Sequence, residues 1–463
     1  MPSVMWFRRD LRLNDHPALN AAIDSAFEDG DKNVVALFNI DPKVFDDAGN
    51  PLKAYQDASL KSLDESLNNN LLIRHGDPKK VIVEVAKAAK AKTVHISEEF
   101  EPYGRQRDIE VEKELAKNGI KLIRTGSAYA VAPFRVTKDD GTPYRVFTPF
   151  YRSWVNHGWR KPAPKFKKEP NWIKPLKNEG RPKVTSEIEI PKAGEKNALD
   201  LFTKFLKSGI KGYDQNRNRP DLEGTSKLSI PLRFGEIHPR TILMELNDSK
   251  DHDTYRKEIC WREFYAEVLA TAPESETKSL DQNWELMGWD LEKDYKQKLK
   301  IWQEGKTGFP LVDAGMRQLK ESGWMHNRVR MVVASFLVKD LHIHWRHGAD
   351  WFMKHLLDGD IASNSHGWQW TAGCGTDASP YYRIFNPMMQ AEKFDPNADY
   401  VRKWIPELRH LKGINAHTPW DQVDGYKHGY PKRMVDHQIE RDETLRRYKA
   451  SKGEKVIKEK FSR

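Results

Sequence analysis

Short apolar, β-branched runs alternate with amphipathic stretches along the first 130 residues. The runs lie at 4–7, 34–38, 71–73, 93–96 and 121–123. Between them, 17–26, 54–67, 78–91 and 106–118 place apolar residues three and four apart, as in Leu60, Leu63 and Leu67. Strands alternating with helices predict an α/β domain with a doubly wound parallel sheet over residues 1–130, whose ligands sit at the carboxyl ends of the strands. No GxGxxG or GxxxxGKS/T follows any of these strands, which argues against a dinucleotide or P-loop site.

The pattern changes twice more. Residues 131–197 crowd proline with lysine and show little periodicity, which reads as a long interdomain linker. From 198 to 463 the chain is helical in pattern, with helices expected at 255–270 and 323–345 and almost no strand. An α/β domain, a basic linker and an all-helical domain is the predicted architecture, without internal repeats.

Composition narrows the function. With 38% hydrophobic and 31% charged residues over 463 positions, the chain is globular rather than disordered, and its apolar runs are too short to span a bilayer. The N-terminus lacks a signal-peptide pattern, so a cytoplasmic protein, nucleoid-associated if bacterial, is expected. Two cysteines, Cys260 and Cys374, exclude a disulfide framework or a cysteine-built metal site, and no metal is expected. The net charge of +10 suits a polyanionic partner. Eleven of the fifteen tryptophans fall after residue 255, a density that a large aromatic core, stacking on flat ligands or electron conduction would each explain.

Candidate chemistry gathers in four stretches. On a helix through 255–265, Glu258, Trp261, Arg262 and Tyr265 share a stripe that could line a cavity for a flat ligand; an ordinary half-buried helix accounts for the same pattern. At 323–331, Asn327, Arg330 and Met331 share a face at the mouth of an apolar run, whereas His326 has no partner at metal-ligand spacing. In 358–370, Asp358 and Asp360 fail the EF-hand spacing and read as partners for arginines or a ligand's N–H groups; Trp368 and Trp370 follow. The hydroxyl-rich turn 223–229 could seat a phosphate, or Thr225 or Ser226 could simply cap a helix, with Tyr213 and Arg217 upstream.

Seven segments then align in order: FRRDLRLNDHPAL, YDQNRNRPDLEGTSKLS, EICWREFY, WQEGKTGFPLVDAGMRQLKESGWMHNRVRM, ASFLVKDL, DGDIASNSHGWQW and YYRIFNPMMQAEKFD. Together they closely resemble the photolyase/cryptochrome flavoprotein family, from residue 4 to about 430, and within it the class I cyclobutane pyrimidine dimer (CPD) photolyases. The resemblance implies FAD in the helical domain, active when reduced, and light-driven electron transfer to a flipped-out pyrimidine dimer in single- or double-stranded DNA. It assigns FAD to Tyr213, Thr225, Ser226, Lys227, Leu228, Ser229, Arg330 paired with Asp358, Asp360, and Asn364 at flavin N5. To the DNA lesion it assigns Arg217, Glu258, Trp261, Arg262, Tyr265, Asn327, Arg328, Met331, Trp370 and Met389.

Glu258 would support charge on the dimer, and Trp368, Trp345 and a third tryptophan, Trp289 ahead of Trp284, would carry electrons to the flavin. An antenna chromophore is expected in the α/β domain near Arg8, Asp10 and Phe38. The Pro-Tyr-Gly-Arg form of 102–105 favours an 8-hydroxy-5-deazaflavin type over methenyltetrahydrofolate. A monomer with no membrane contact is expected. The rival readings are a cryptochrome-type signalling photoreceptor, whose plant-type members carry an acid in place of Asn364, and a (6-4) photolyase, which needs a histidine pair where this chain has His326 and Asn327.

Overall fold

The computed structural model describes residues 1–376 and 382–452. Five strands form the predicted parallel sheet: β1 (Ser3–Phe7), β2 (Asn33–Ile40), β3 (Leu71–His75), β4 (Thr93–Glu98) and β5 (Lys121–Ser127), in the order β3-β2-β1-β4-β5. Every residue of β1 is buried, as a central strand covered on both faces requires. The connecting helices match the expected periodicity. In Pro78–Ala88, for instance, Val81, Ile82, Val85 and Ala86 are buried, and Asp77 caps the first turn by accepting from the Lys79 N–H. The strand order reverses between β1 and β4, so their carboxyl ends open the crevice in which such sheets bind ligands.

Residues 131–197 are more than a connector. They contain the helix Phe147–His157, which buries Phe150 and Trp154, and a short strand β6 (Asn171–Trp172) that pairs with the start of β2 ahead of β3. Their aromatic residues, hidden among prolines and lysines, carry no helical period long enough to read.

The chain falls into two compact units whose limits differ from the expected boundaries at 130 and 197. The first comprises Met1–Asp214, Thr225–Pro273 and Leu357–Ala362; the second comprises Gln215–Gly224, Glu274–Leu356 and the residues from Ser363 on. In the first unit, Glu263 of the helix Lys250–Thr271 is fully buried and accepts from the Val131 N–H at 3.0 Å, the Trp154 indole at 2.7 Å and the Ala130 N–H. In the second, the helices Pro310–Ser322, Asn327–Lys339 and Trp345–His355 surround a core that includes Trp302, Phe309, Phe336 and Trp345. The helix expected over 323–345 is shorter, Asn327–Lys339, capped by His326; after it His342 takes a φ of 57°, and a separate helix capped by His344 begins only at Trp345. Among the described residues no helix is long and apolar enough to cross a membrane.

Burial raises the Glu263 pKa to about 7, outweighing the N–H donors that favour its ionised form. A carboxyl raised in the native state gives stability that is complete below its unfolded pKa and lost as pH rises through about 7. Relative to Glu263→Gln, the wild-type chain therefore loses on the order of 3 kcal/mol between pH 5 and pH 8. Denaturant unfolding across that range checks this; parallel stability profiles for the two proteins would contradict it.

Candidate functional site

In the first unit the helix Lys250–Thr271 turns Ile259, Cys260, Glu263 and Phe264 inward and leaves Glu258, Trp261, Arg262 and Tyr265 half-buried, the stripe expected from the sequence. Its members act differently. Trp261 lies flat on Phe147, with ring centroids 3.7 Å apart and planes 4° from parallel, which fixes the indole plane. Tyr265 packs tilted against it at 5.3 Å. Arg262 donates to the carbonyls of Ala128 at 2.9 Å and Leu232 at 3.4 Å and covers the Tyr129 ring, so it braces its helix rather than reaching for a ligand.

The hydroxyl-rich turn has an aromatic floor. Tyr213 is buried edge-on against Phe205 and Tyr255, and the Tyr255 hydroxyl donates to Ser226 Oγ at 2.9 Å. The following helix, Ser229–Phe234, is preceded by Leu228 with no side-chain cap, so neither Thr225 nor Ser226 serves as its N-cap. Lys227 takes a left-handed φ of 55°, and Thr225 and Ser226 remain half-buried while Lys227 and Ser229 are exposed. Three hydroxyls and an ammonium on one turn form a donor set whose chemistry fits phosphate.

Asp358 and Asp360, also in this unit, are buried. Asp360 pairs with Arg9, one of the arginine partners anticipated in kind but not by name. The antenna candidates stand at strand ends as expected and are engaged there. Arg8 donates to Asp108 at 2.8 Å and to the Ser97 carbonyl, and lies 3.4 Å from Glu99. Asp10 accepts from the Arg8 N–H at 2.7 Å and Ser97 Oγ at 2.6 Å, and Phe38 is buried. Burial opposes ionisation of Glu99, but Arg107, Arg8 and Arg9 outweigh it and hold its pKa at about 2. These side chains hold one another, so the antenna expectation rests on the 101–108 segment. There, a Cβ on Gly104 would come within 2.3 Å of Glu99 Oε2.

In the second unit His326 is buried and accepts from the Arg328 N–H at 3.2 Å, capping the helix Asn327–Lys339. Burial, reinforced by Arg328, Arg330 and Arg217, lowers its pKa to about 4, so it stays neutral at physiological pH. Asn327 at the helix start is exposed, and Arg330 and Met331 are half-buried, the mouth-of-core placement expected. Arg330 donates to the Met325 carbonyl at 2.8 Å; Arg328 donates to Asn218 at 2.7 Å and lies over Phe394. Arg217 is half-buried and Met389 exposed. Trp370 is half-buried with the Arg383 guanidinium 5.2 Å from its ring.

Asn364, in the helix Ile361–Ala372, gives its amide N–H to the Ala349 carbonyl at 3.0 Å. That bond fixes the flip of the amide and presents its oxygen, an acceptor, on the other side. The atom matches what a flavin N5–H needs, so residue and cofactor fit. Ser365 turns away to the Glu276 carbonyl at 3.1 Å.

Trp289, Trp345 and Trp368 all belong to this unit. A Cβ on Gly348 would come within 2.1 Å of Trp368, so that indole lies directly on the helix Trp345–His355, one turn from Trp345. Trp345 donates to Ser279 Oγ at 3.0 Å and neighbours the His344 ring at 5.7 Å, which meets Trp289 edge-on at 5.4 Å. Trp289 is half-buried, whereas Trp284 is buried among Tyr382 and Tyr448, so Trp289 is the better surface terminus.

Sequence reasoning missed Phe147, Arg9 and Arg233. Phe147 stands in an aromatic run inside the supposed linker, and the arginine doublet Arg8–Arg9 at the end of a buried strand was a signal for the second.

Comparison with known proteins agrees with the geometry over both units. Residues 3–169 match the DNA photolyase family model, and residues 255–450 match that of the FAD binding domain of DNA photolyase. A relative from Alkalihalophilus pseudofirmus, called deoxyribodipyrimidine photo-lyase, is 36% identical over 97% of this chain and 98% of its own. A bacterial class III photolyase structure from Agrobacterium tumefaciens superposes with a TM-score of 0.86 at 34% identity, covering 98% of each chain. A Synechocystis cryptochrome structure superposes with a TM-score of 0.83 at 28% identity, over 96% of this chain and 99% of its own.

Proposed function

The chain belongs to the DNA photolyase family, an FAD-binding family of DNA repair enzymes, and from that premise we propose that it is a deoxyribodipyrimidine photo-lyase acting on cyclobutane pyrimidine dimers. The observation that carries the repair reading over a plant-type cryptochrome is the orientation of Asn364, whose amide is held by Ala349 with its oxygen available as an acceptor. His326 supports the CPD lesion over the (6-4) lesion, because its ring caps a helix and is followed by Asn327, leaving no histidine pair to act as an acid.

In this reading the lesion is flipped from the duplex, as photolyases and other base-flipping enzymes do, at a cost lowered by the weakened stacking of damaged bases. Trp261, held flat by Phe147, is assigned to stacking on the pyrimidines, and so is Trp370; Asn327 and Met331 are assigned to lesion contact. Glu258 hydrogen-bonds the carbonyl or imide edge of the dimer where negative charge develops. Tyr213 and 225–229 would hold FAD through its phosphates, and Asn364, Arg330, Asp358 and Asp360 are each assigned to its ring. When bound in its reduced form, FAD would supply the light-driven single-electron chemistry needed to open the dimer. An 8-hydroxy-5-deazaflavin antenna is part of this proposal, as are a monomeric state and a DNA partner bound through basic groups, with salt weakening the complex.

The decisive assay mixes reduced protein with an oligonucleotide bearing one thymine dimer and follows absorbance at 260 nm in blue light and in darkness. Recovery in light alone is expected. A flavin spectrum without recovery would overturn the CPD reading in favour of signalling or another lesion.

A further inference from the structure

Strand β1 leaves the sheet through Arg8, Arg9 and Asp10, at the point where the strand order reverses. Arg9 takes no part in the reading above. One arm of its guanidinium pairs with Glu101 and the other with Asp360, and all three side chains are largely buried. One residue before Asp360, the Gly359 carbonyl accepts from Arg233 Nε at 2.6 Å. Arg233 belongs to the helix Ser229–Phe234, and that helix is joined to the same strand exit. Leu11 N–H donates to the Phe234 carbonyl at 3.1 Å, and Arg12 donates to the Gly235 carbonyl at 3.0 Å. Gly235 has φ 67°, and a Cβ there would come within 2.0 Å of the Arg9 carbonyl, so only glycine lets the two segments meet. The segment 358–360 is therefore tied at two successive residues to one frame, built from the end of β1 and the helix that follows the hydroxyl-rich turn.

We propose that Arg9 is a positioning residue for the flavin, holding the 358–360 segment through Asp360 and balancing the charge of that carboxylate beside the ring. The proposal rests on the FAD reading above. Arg9 and Arg233 face Glu101 and Asp360, two positive groups against two negative ones, while the neighbouring Glu99 is matched, together with Asp108, by Arg8 and Arg107. Without Arg9 this buried group carries a net negative charge, which disfavours placing an electron on a nearby ring in a low-dielectric site.

The test is a spectroelectrochemical titration of the FAD-containing protein and its variants. At the potential where the wild-type flavin is half reduced, Arg9→Gln should shift the reduced-to-oxidised ratio about tenfold toward oxidised, a fraction of the full Coulomb term for one unit charge in a partly screened site. Arg9→Lys, which keeps the charge, and the double variant Arg9→Gln/Asp360→Asn, which removes both charges, should each return the ratio toward the wild-type value. If Arg9→Gln yields no holoprotein, Asp360→Asn decides, because loss of the negative charge should move the ratio toward reduced. A wild-type titration of Arg9→Gln, or of Asp360→Asn where that variant decides, overturns the proposal. If Asp358→Asn still moves the ratio, only the role of Arg9 fails. If Asp358→Asn also leaves FAD content and ratio unchanged, the seat assigned to the flavin fails with it.

Discussion

Replacing Glu258 with alanine is expected to lower the yield of dimer splitting about tenfold while changing affinity for dimer-bearing DNA less than about threefold, as befits a hydrogen bond to a charged group worth about 1.5–3 kcal/mol. Glu258 sits half-buried on the same stripe as Trp261, whose plane is fixed by Phe147. In the same proposal stacking on the indoles and phosphate contacts elsewhere would supply affinity and be untouched by the substitution. In the proposed role the carboxyl would act where the dimer becomes negative, so its loss would fall on the competition between bond breaking and return of the electron. Quantum yield under single-turnover illumination and a binding isotherm on the same oligonucleotide separate the two effects. Equal losses in both would remove Glu258 from the reaction and leave it a binding residue.

Trp368→Phe is expected to slow photoreduction of the oxidised flavin by more than about tenfold, a change equivalent to at least 1.4 kcal/mol in barrier, and to spare repair by enzyme reduced beforehand. Trp368 rests on Gly348, one turn from Trp345, and the His344 ring bridges from Trp345 toward half-buried Trp289. If these indoles conduct as proposed, removing one would break the sequence of electron donors without touching the groups assigned to the lesion. Trp289→Phe should slow photoreduction as well, while Trp284→Phe, in its buried cluster with Tyr382 and Tyr448, should not. Steady blue illumination with an external reductant reads out all three. Inactivity of pre-reduced Trp368→Phe enzyme would show that this indole does something other than conduct electrons.

Much of this protein could be read from its chain. Burial of the strands on both faces forces continuous apolar runs, and the intervening helices must repeat every three to four residues, so the parallel sheet was written in local pattern. The stripe through Glu258 and Trp261 was legible for the same reason, because helical geometry converts spacing into a shared face. The motifs around 225–229, 327–331 and 358–370 are continuous in the chain, so the family resemblance is legible in the sequence itself.

Other features depend on groups brought together from distant parts of the sequence, and local spacing carries no trace of them. Phe147 meets Trp261 across more than a hundred residues, so a stretch read as linker supplies one wall of the stack. Arg262 shares the ligand-facing stripe by period, yet two backbone carbonyls within its reach make it a brace. The expected long helix stops early, at Lys339, because His342 takes a left-handed φ that a helix cannot continue through, and a new helix starts after His344. Sequence alone determined the sheet, the helical character of the remainder and the identity of the chemical groups. Only the tertiary structure decided which face of Asn364 is offered, which arginine holds Asp360 and which tryptophan reaches the surface, because each depends on partners fixed by the fold and not by neighbours in the chain.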